Sequence, residues 1–206
     1  MRKTKVEVER TREKLLDAAE LVFSSQGYAA AKLEDIAETA GLTRGAIYWH
    51  FSGKPDLLDA VVGRAWFPWD QLPIDRSQID RVPTIPEMAS VLGQGVQRTL
   101  FEPRLRRSAL ILLQGRELRS VSERVLPRLQ GMQDRIDRHV AMVIEGSLAA
   151  DPALGENTNQ ARVVGTFMFG AVSEALLLRR SSEQGAVGQE VERFVLNLLR
   201  HASAPS

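Results

Sequence analysis

The chain has no cysteine among its 206 residues. Disulfide bonds, thiol catalysis and cysteine-ligated metals are therefore excluded, and such an absence is typical of proteins in reducing compartments. The histidines at positions 50, 139 and 201 are far apart, and none belongs to a paired ligand motif. P-loop, dinucleotide-binding and nucleophile-elbow motifs are also lacking. We expect no metal, no cofactor and no enzymatic activity.

Long apolar runs are lacking as well. No segment approaches the roughly 18 consecutive apolar residues of a membrane span. A signal peptide is not indicated, because the basic start is followed by Glu7, Glu9 and Glu13 instead of an apolar core. We expect a cytoplasmic protein that does not bind a membrane.

Neither sign of charge is in excess, since the formal net charge is +1. A surface that binds nucleic acid would therefore depend on a local arrangement of basic residues. One such cluster is Arg2, Lys3 and Lys5, beside the start of the first predicted helix. An arm of this kind either contacts phosphates and the minor groove or is a solvated terminus, and the sequence leaves both interpretations open.

Apolar residues recur at intervals of three and four along most of the chain, and no alternating pattern typical of a strand stands out. We predict an all-α fold of about nine helices. One of these helices belongs to the motif at residues 40–51. We expect the other eight at about residues 6–25, 33–40, 55–65, 86–101, 104–117, 121–149, 158–181 and 187–202. Prolines at 68, 73, 83 and 86 exclude one continuous helix, and about residues 68–84 are expected to form a linker or a kinked connection. We therefore expect a small domain over 1–65 and a larger one over 66–206.

The segment 40–51, AGLTRGAIYWHF, is typical of the turn and second helix of a helix-turn-helix. Gly41 suits a tight turn that needs a positive φ, and Thr43 suits the N-cap of the next helix. Ile47 and Phe51 lie four residues apart and can anchor one face. The opposite face would then carry basic and aromatic side chains without an acid, which suits the DNA major groove. An ordinary surface helix with exposed aromatics is the alternative.

At these residues the chain closely resembles the TetR family of bacterial transcriptional repressors. The resemblance covers roughly residues 8–65, and its motifs are Thr11-Arg12, Ile36-Ala37, the segment 40–51 and the segment 54–58, KPDLL. The opening segment 2–5 and the segment 43–51 are most similar to the branch that represses multidrug efflux pumps. The resemblance implies an N-terminal three-helix domain that binds DNA and a larger helical domain for ligand binding and dimerisation. It also implies a homodimer on a palindromic DNA operator, released when an inducer moves the DNA-binding heads apart.

The resemblance assigns DNA contacts to single residues of this chain. Bases or phosphates would be contacted at the start of the recognition helix, and phosphates or thymine methyl groups further along it. The residues concerned are Lys32, Thr43, Arg44, Gly45, Tyr48, Trp49, His50 and Lys54. Arg44 either reads a guanine or clamps a phosphate. Trp49 either packs beneath the recognition helix or contacts the sugar-phosphate wall, and we expect partial packing. Ala31 departs from the family, which usually has a Thr or Ser there to cap the second helix, and Lys32 would supply only the phosphate contact.

Candidates for an inducer pocket are apolar or polar residues of the larger domain that recur at helical spacing. They are Trp66, Phe67, Trp69, Phe101, Leu110, Leu113, Gln114, Glu117, Met132, Ile136, Phe167 and Glu174. Each apolar member can equally be plain core. Gln114, Glu117 and Glu174 lie in or beside apolar stretches, so each either faces solvent or anchors a cationic or hydrogen-bonding ligand.

The last two predicted helices are candidates for a dimer surface, because small residues there allow close approach and apolar residues supply burial. The residues expected in the interface are Phe167, Ala171, Val172, Val191, Phe194, Val195 and Leu198. Closure of the monomer's own core by these helices is the alternative.

The resulting hypothesis is a ligand-responsive repressor of a multidrug efflux operon, with a palindromic operator and a lipophilic or aromatic inducer. A TetR-type regulator of metabolic or signalling genes with one specific metabolite as inducer is the second hypothesis. An all-α enzyme that does not bind DNA is the weakest.

Overall fold

The computed structural model describes residues 5–150, 158–178 and 181–201. Within these ranges the chain forms ten α-helices, three short 3₁₀ helices and no strand, which confirms the all-α prediction. The α-helices are α1 (Lys5–Gln26), α2 (Leu33–Thr39), α3 (Arg44–His50), α4 (Lys54–Arg64), α5 (Ile85–Phe101), α6 (Pro103–Leu112), α7 (Gly115–Leu118), α8 (Val125–Ala150), α9 (Thr158–Leu177) and α10 (Val187–His201). None of the helices in these ranges is both long enough and apolar enough to cross a bilayer.

The helices form two compact units. The first comprises Met1–Trp66 and Arg106–Leu129, and the second comprises Phe67–Leu105 and Gln130–Ser206. The chain leaves the first unit close to the expected boundary at residue 65, but it returns for residues 106–129, which the sequence assigned to the second domain. The physical reason lies in polar side chains of the returning segment: Arg107 and Gln114 both make hydrogen bonds to α1.

In the first unit, α1 to α4 pack around side chains that the sequence pattern placed on one face of each helix. The fully buried members include Leu15, Phe23, Ile36, Ile47 and Leu58. Two glycines form the turns: Gly27 ends α1 with φ of 82°, and Gly41 turns the chain between α2 and α3 with φ of 64°. A positive φ strains residues with a Cβ atom, so glycine suits both positions.

A buried carboxylate joins three helices of this unit. Glu20 on α1 is only 2% exposed. It accepts a hydrogen bond from Arg64 of α4 at 3.1 Å and another from Arg107 of α6 at 2.9 Å. Arg64 also pairs with Asp17 at 2.8 Å. The cluster ties α6 to α1 and α4 by charge, which the apolar periodicity of α6 did not indicate.

The sequence placed one helix over 104–117 and the next over 121–149, and both bounds are wrong. The first helix ends at Leu112, α7 is a separate single turn, and α8 begins only at Val125. Ser122 accounts for the late start of α8, because its hydroxyl binds the Asp59 carboxylate and accepts a hydrogen bond from the Arg124 backbone. Such side-chain bonds to the local backbone compete with helical ones.

The second unit is built on a close crossing of α5 and α10, with α9 beside them. Met88, Leu92 and Val96 of α5 are buried, as are Val191 and Val195 of α10. The two helices approach at glycines: a Cβ atom on Gly93 would lie 2.5 Å from the carbonyl oxygen of Gly188. Backbone, not a flexible side chain, occupies the space at this crossing.

We expect that Gly93→Ala lowers the free energy of unfolding by ~1–3 kcal/mol, because the added methyl group overlaps the backbone of α10. Gly131→Ala in α8 is the matched control, since nothing lies within 4 Å of its added Cβ. The control should be neutral or stabilising by up to ~1 kcal/mol through helix propensity. Chemical denaturation of both variants tests the difference, and equal stabilities would contradict the close crossing.

Candidate nucleic-acid interface

The recognition-helix candidate α3 is held against the first unit by one face. Ile47 is fully buried and Phe51, its C-cap, is nearly so. The preceding turn is closed by a hydrogen bond of 2.9 Å from the Leu42 backbone N–H to the Ala37 carbonyl oxygen. These observations confirm the predicted turn and the predicted anchor of the helix.

The other face of α3 points to solvent. Thr43, Arg44, Gly45, Tyr48 and Trp49 are all exposed. The Thr43 hydroxyl makes no capping hydrogen bond, although Thr43 is the N-cap residue as predicted.

The expectation that Trp49 packs partly beneath the helix is wrong. Its side chain is 68% exposed, and its ring meets the His50 ring edge-on at 4.8 Å between centroids. At 100° per residue, position 49 lies about 200° around the helix from the anchor Ile47, so its side chain points away from the core. Trp49 is therefore a large flat surface available to a partner.

Arg44 is held between α2 and α3. Its Nη1 lies 2.5 Å from the Glu34 carboxylate, and its Nη2 donates a hydrogen bond of 3.0 Å to the Tyr48 hydroxyl. The bond to Tyr48 and the charge of Glu34 raise the pKa of Arg44, so the guanidinium stays cationic. The sequence did not indicate Glu34 as a neighbour, because Glu34 lies on the preceding helix α2 and the spacing along α3 does not report it.

Lys54 lies at the start of α4 and is less free than a surface lysine. Its ammonium group donates to the Ala29 carbonyl oxygen at 3.3 Å and lies 4.3 Å from the Tyr28 ring centroid. Burial lowers the pKa of Lys54. Tyr28, which sequence reasoning missed, thus positions a predicted phosphate contact through a cation–π interaction.

The cap of α2 differs from the expectation. Lys32, not Ala31, is the N-cap residue, and Ala31 is buried. The Lys32 backbone N–H donates to the Asp35 carboxylate at 3.3 Å, which is the reciprocal half of a capping box, and no Lys32 side-chain atom takes the place of the hydroxyl cap. The Lys32 side chain remains exposed.

A groove of about 440 Å³ separates the start of α1 from α3. It brings together four of the predicted DNA-binding residues with three that the prediction did not include. Its lining consists of Val8, Thr11, Thr43, Gly45, Ala46, Trp49 and His50. Arg2 and Lys3 of the predicted basic arm lie outside the described residues.

The residues predicted for an inducer pocket are divided between the two units. Leu110, Leu113, Gln114 and Glu117 belong to the first unit; the second contains Phe67, Trp69, Phe101, Met132, Ile136, Phe167 and Glu174. Trp66 ends the first segment of the first unit. A cavity of about 710 Å³ in the second unit is lined by none of them.

The polar candidates have different surroundings. The side-chain amide of Gln114 donates to the Phe23 carbonyl oxygen at 3.1 Å and accepts from the Tyr28 backbone N–H at 2.8 Å. It therefore fastens α1 to the segment between α6 and α7. Glu117 and Glu174 are exposed, in agreement with the solvent-facing alternative. Phe67 and Trp69 are buried and stack with 5.8 Å between ring centroids.

Part of the predicted dimer surface lies inside the second unit. Val191 and Val195 are buried within one chain because the apolar stripe of α10 packs on α5, and Val172 is buried because α9 packs against α5 and α10. The core-closing alternative is correct for these three. The rings of Phe167 and Phe194 stack with 3.7 Å between their centroids. Both residues, and also Ala171 and Leu198, are half-buried.

A different part of α9 is open to solvent. Val163, Gly170, Glu174 and Leu177 recur at helical spacing and are exposed, with Leu177 at 63%. A Cβ atom added at Gly170 would meet nothing within 4 Å. In the described ranges, no group of three or more acidic, histidine or cysteine side chains is placed to hold a metal ion.

Comparisons with known proteins agree with this geometry. The family model of bacterial regulatory proteins, tetR family, matches residues 15–61. The repressor BepR of Brucella suis is 40% identical over 100 residues, which cover 48% of this chain and 46% of BepR. The regulator TtgR of Pseudomonas putida is 38% identical over 112 residues, which cover 54% and 53% of the two chains. The chain thus spans about half the length of the curated relatives it matches.

Solved structures extend the likeness over more of the chain. SmeT, the repressor of the Stenotrophomonas maltophilia multidrug efflux pump SmeDEF, has a TM-score of 0.68 at 27% sequence identity. The match covers 90% of this chain and 88% of SmeT. SmeT in complex with triclosan gives a TM-score of 0.69 at the same identity, over 91% and 90% of the two chains.

Proposed function

Because residues 15–61 match the family model of bacterial regulatory proteins, tetR family, and about half of the chain is similar to curated repressors, we propose that it belongs to this family and is a ligand-responsive transcriptional repressor that binds a palindromic operator as a homodimer. The observation that carries the proposal is α3, anchored by buried Ile47 and presenting Arg44, Tyr48 and Trp49 to solvent. This arrangement of cationic and flat side chains on a short helix suits the major groove.

Each DNA contact has a role that follows from its chemistry. Arg44 can donate to guanine or to a phosphate, and Tyr48, which binds it, sets its direction. Lys54, fixed over Tyr28, presents a point charge to a phosphate. The exposed Thr43, Gly45, Trp49 and Lys32 and the half-buried His50 complete the proposed surface.

The exposed side of α9 supports the homodimer. Apolar side chains beside a glycine with open space around it allow a second helix to approach closely. Two-fold symmetry of such a dimer would match the symmetry of a palindromic operator. We place the interface on Val163, Phe167, Gly170, Ala171 and Leu177, with Phe194 and Leu198 at its border.

We propose an efflux operon as the target, with a lipophilic or aromatic inducer. The support is the likeness to SmeT, which is the repressor of a multidrug efflux pump. SmeT itself forms a complex with triclosan. The site of action would be the cytoplasm, where the DNA lies. The matched relatives are regulators and not enzymes.

Fluorescence anisotropy with the DNA upstream of the protein's own gene tests the proposal. The full chain should bind this DNA, and its affinity should fall steeply with salt through counterion release. Triclosan and a panel of lipophilic cations should reverse the binding. Reversal by metabolites alone would favour a metabolic regulator, and no binding to this DNA at low salt would contradict repression of the neighbouring genes.

Glu34→Gln should tighten operator binding by about two- to fivefold. The neutral amide does not hold Arg44 away from DNA, and it does not repel phosphates as the carboxylate does. Glu38→Gln is the matched control. Glu38 is exposed on the same helix, and its substitution changes the net charge by the same amount. Titrations at one salt concentration compare the two variants. An equal gain for both would assign the effect to net charge alone and exclude a specific brake on Arg44.

A further inference from the structure

The 710 Å³ cavity of the second unit lies between the segment before α5, the start of α5 and the middle of α8. Its floor is apolar and buried, with Leu72 and Met88 almost without exposure. Its rim is polar and exposed, and includes Ser77, Gln78 and Arg81. This volume lies within the range of small-molecule sites, about 300–1,000 Å³.

One polar side chain of the cavity is buried. His139 on α8 is 2% exposed. Its Nδ1 lies 2.7 Å from the Pro73 carbonyl oxygen. A carbonyl oxygen only accepts hydrogen bonds, so Nδ1 carries the hydrogen. In a neutral imidazole the other nitrogen, Nε2, is then an acceptor with a free lone pair.

The imidazole is held in this form by its surroundings. Burial lowers the pKa of His139, and it outweighs the opposite effect of the bond to Pro73. Among the described residues, the one hydrogen bond given for the His139 ring is that of Nδ1 to the Pro73 carbonyl oxygen. His139 lines the cavity, and Nε2 is the ring atom left to accept a hydrogen bond from a bound molecule.

The charged residues of the rim narrow the choice of ligand. Arg81 and Glu87 neutralise each other through two contacts of 2.8 and 2.5 Å. The bond from Arg81 and those from Thr84 lower the pKa of Glu87 to about 2, so the pair stays ionised. The third charged lining residue is Asp80. With one positive and two negative side chains, the rim has a net charge of −1 and does not favour an anion.

We propose that this cavity is an effector site for a neutral, mostly apolar aromatic molecule with one hydroxyl group, which donates a hydrogen bond to Nε2 of His139. The proposal rests on the proposed function only in calling the bound molecule an effector. A phenolic hydroxyl fits because it is a strong donor on a flat apolar body, and the floor of the cavity is apolar around a single buried acceptor.

Two probes that differ in this donor test the hydrogen bond in the unmodified protein. 2-Naphthol has the hydroxyl, and 2-methoxynaphthalene has the same ring system but cannot donate. Calorimetric titration of the full chain without DNA should show binding of 2-naphthol about tenfold tighter than binding of the ether. In ¹⁵N NMR spectra, 2-naphthol and not the ether should shift Nε2 of His139.

His139→Asn is the matched variant. Its side-chain amide can still donate to the Pro73 carbonyl oxygen, but it places no acceptor where Nε2 was. The variant should bind the two probes equally. Equal affinities in the unmodified protein, binding of neither probe, or discrimination that persists in the variant would each overturn the proposal.

Measuring operator binding with the same preparation separates failure of the proposed ligand site from failure of the proposed repressor function. If the protein binds its operator and another compound releases it, while the naphthalene pair is not discriminated, this site is wrong and the repressor function stands. If the pair is discriminated as expected but no operator is bound, the cavity is a ligand site and the proposed function fails.

Discussion

Replacing Arg44 by alanine is expected to weaken operator binding by about ten- to hundredfold, the range for loss of a good arginine contact to DNA. Arg44 is exposed on α3 and stays cationic. Its bond to the Tyr48 hydroxyl directs the guanidinium along the outer face of the helix. Anisotropy titrations with the operator and with a scrambled duplex measure the loss.

The pair of duplexes decides between the two roles that the sequence left open. If Arg44 reads a guanine, the variant should lose affinity for the operator much more than for the scrambled duplex. If it clamps a phosphate, both should weaken about equally. Arg98→Ala is the matched control, because Arg98 is also an exposed arginine on a helix and is paired with Glu102. The same loss in the control would show that only net charge was changed.

Replacing Glu20 by alanine is expected to lower the free energy of unfolding by ~3–5 kcal/mol, the usual loss when one partner of a buried ion pair is removed. The variant leaves Arg64 and Arg107 facing each other without the carboxylate that joins them. Arg64 keeps its contacts with Asp17 and Glu13, but Arg107 must recruit water, and α1, α4 and α6 lose a shared contact. Urea denaturation followed by circular dichroism measures the change.

Glu9→Ala is the control for this variant, since Glu9 lies on the same helix and its exposed carboxylate approaches Arg12 only to 3.8 Å. Exposed pairs of this kind contribute ~0–1 kcal/mol. A Glu20 variant as stable as the control would mean that the buried cluster contributes nothing net, because desolvation of the charges offsets their attraction. Replacing Glu20, Arg64 and Arg107 together by apolar residues would then restore or exceed the original stability.

The Glu20 cluster bears on the proposed function as well as on stability. It binds α6, which precedes the Gln114 segment, directly to α1 and α4. Gln114 adds a second link through the Phe23 and Tyr28 backbones. Tyr28 in turn lies under Lys54. These contacts join α6 and the Gln114 segment to a residue proposed to bind a phosphate.

By itself, the sequence determined the helical class, the helix-turn-helix and the similarity to the tetR family. These features depend on local patterns: the spacing of Ile47 and Phe51, the glycine at 41 and the motif around Arg44. Local patterns are legible because helix periodicity and turn chemistry act over a few residues. The burial of Ile47 and the positive φ of Gly41 agree with them.

Only the tertiary structure decided which partners these residues have. An apolar stripe such as that of α10 indicates that the helix buries one face. It does not indicate whether α5 of the same chain or a second chain covers that face. Likewise, the positions of Glu34 beside Arg44, of Glu20 between two arginines and of His139 at a cavity depend on pairs far apart in sequence. Such pairs form only when the helices pack, so the spacing of residues along the chain does not predict them.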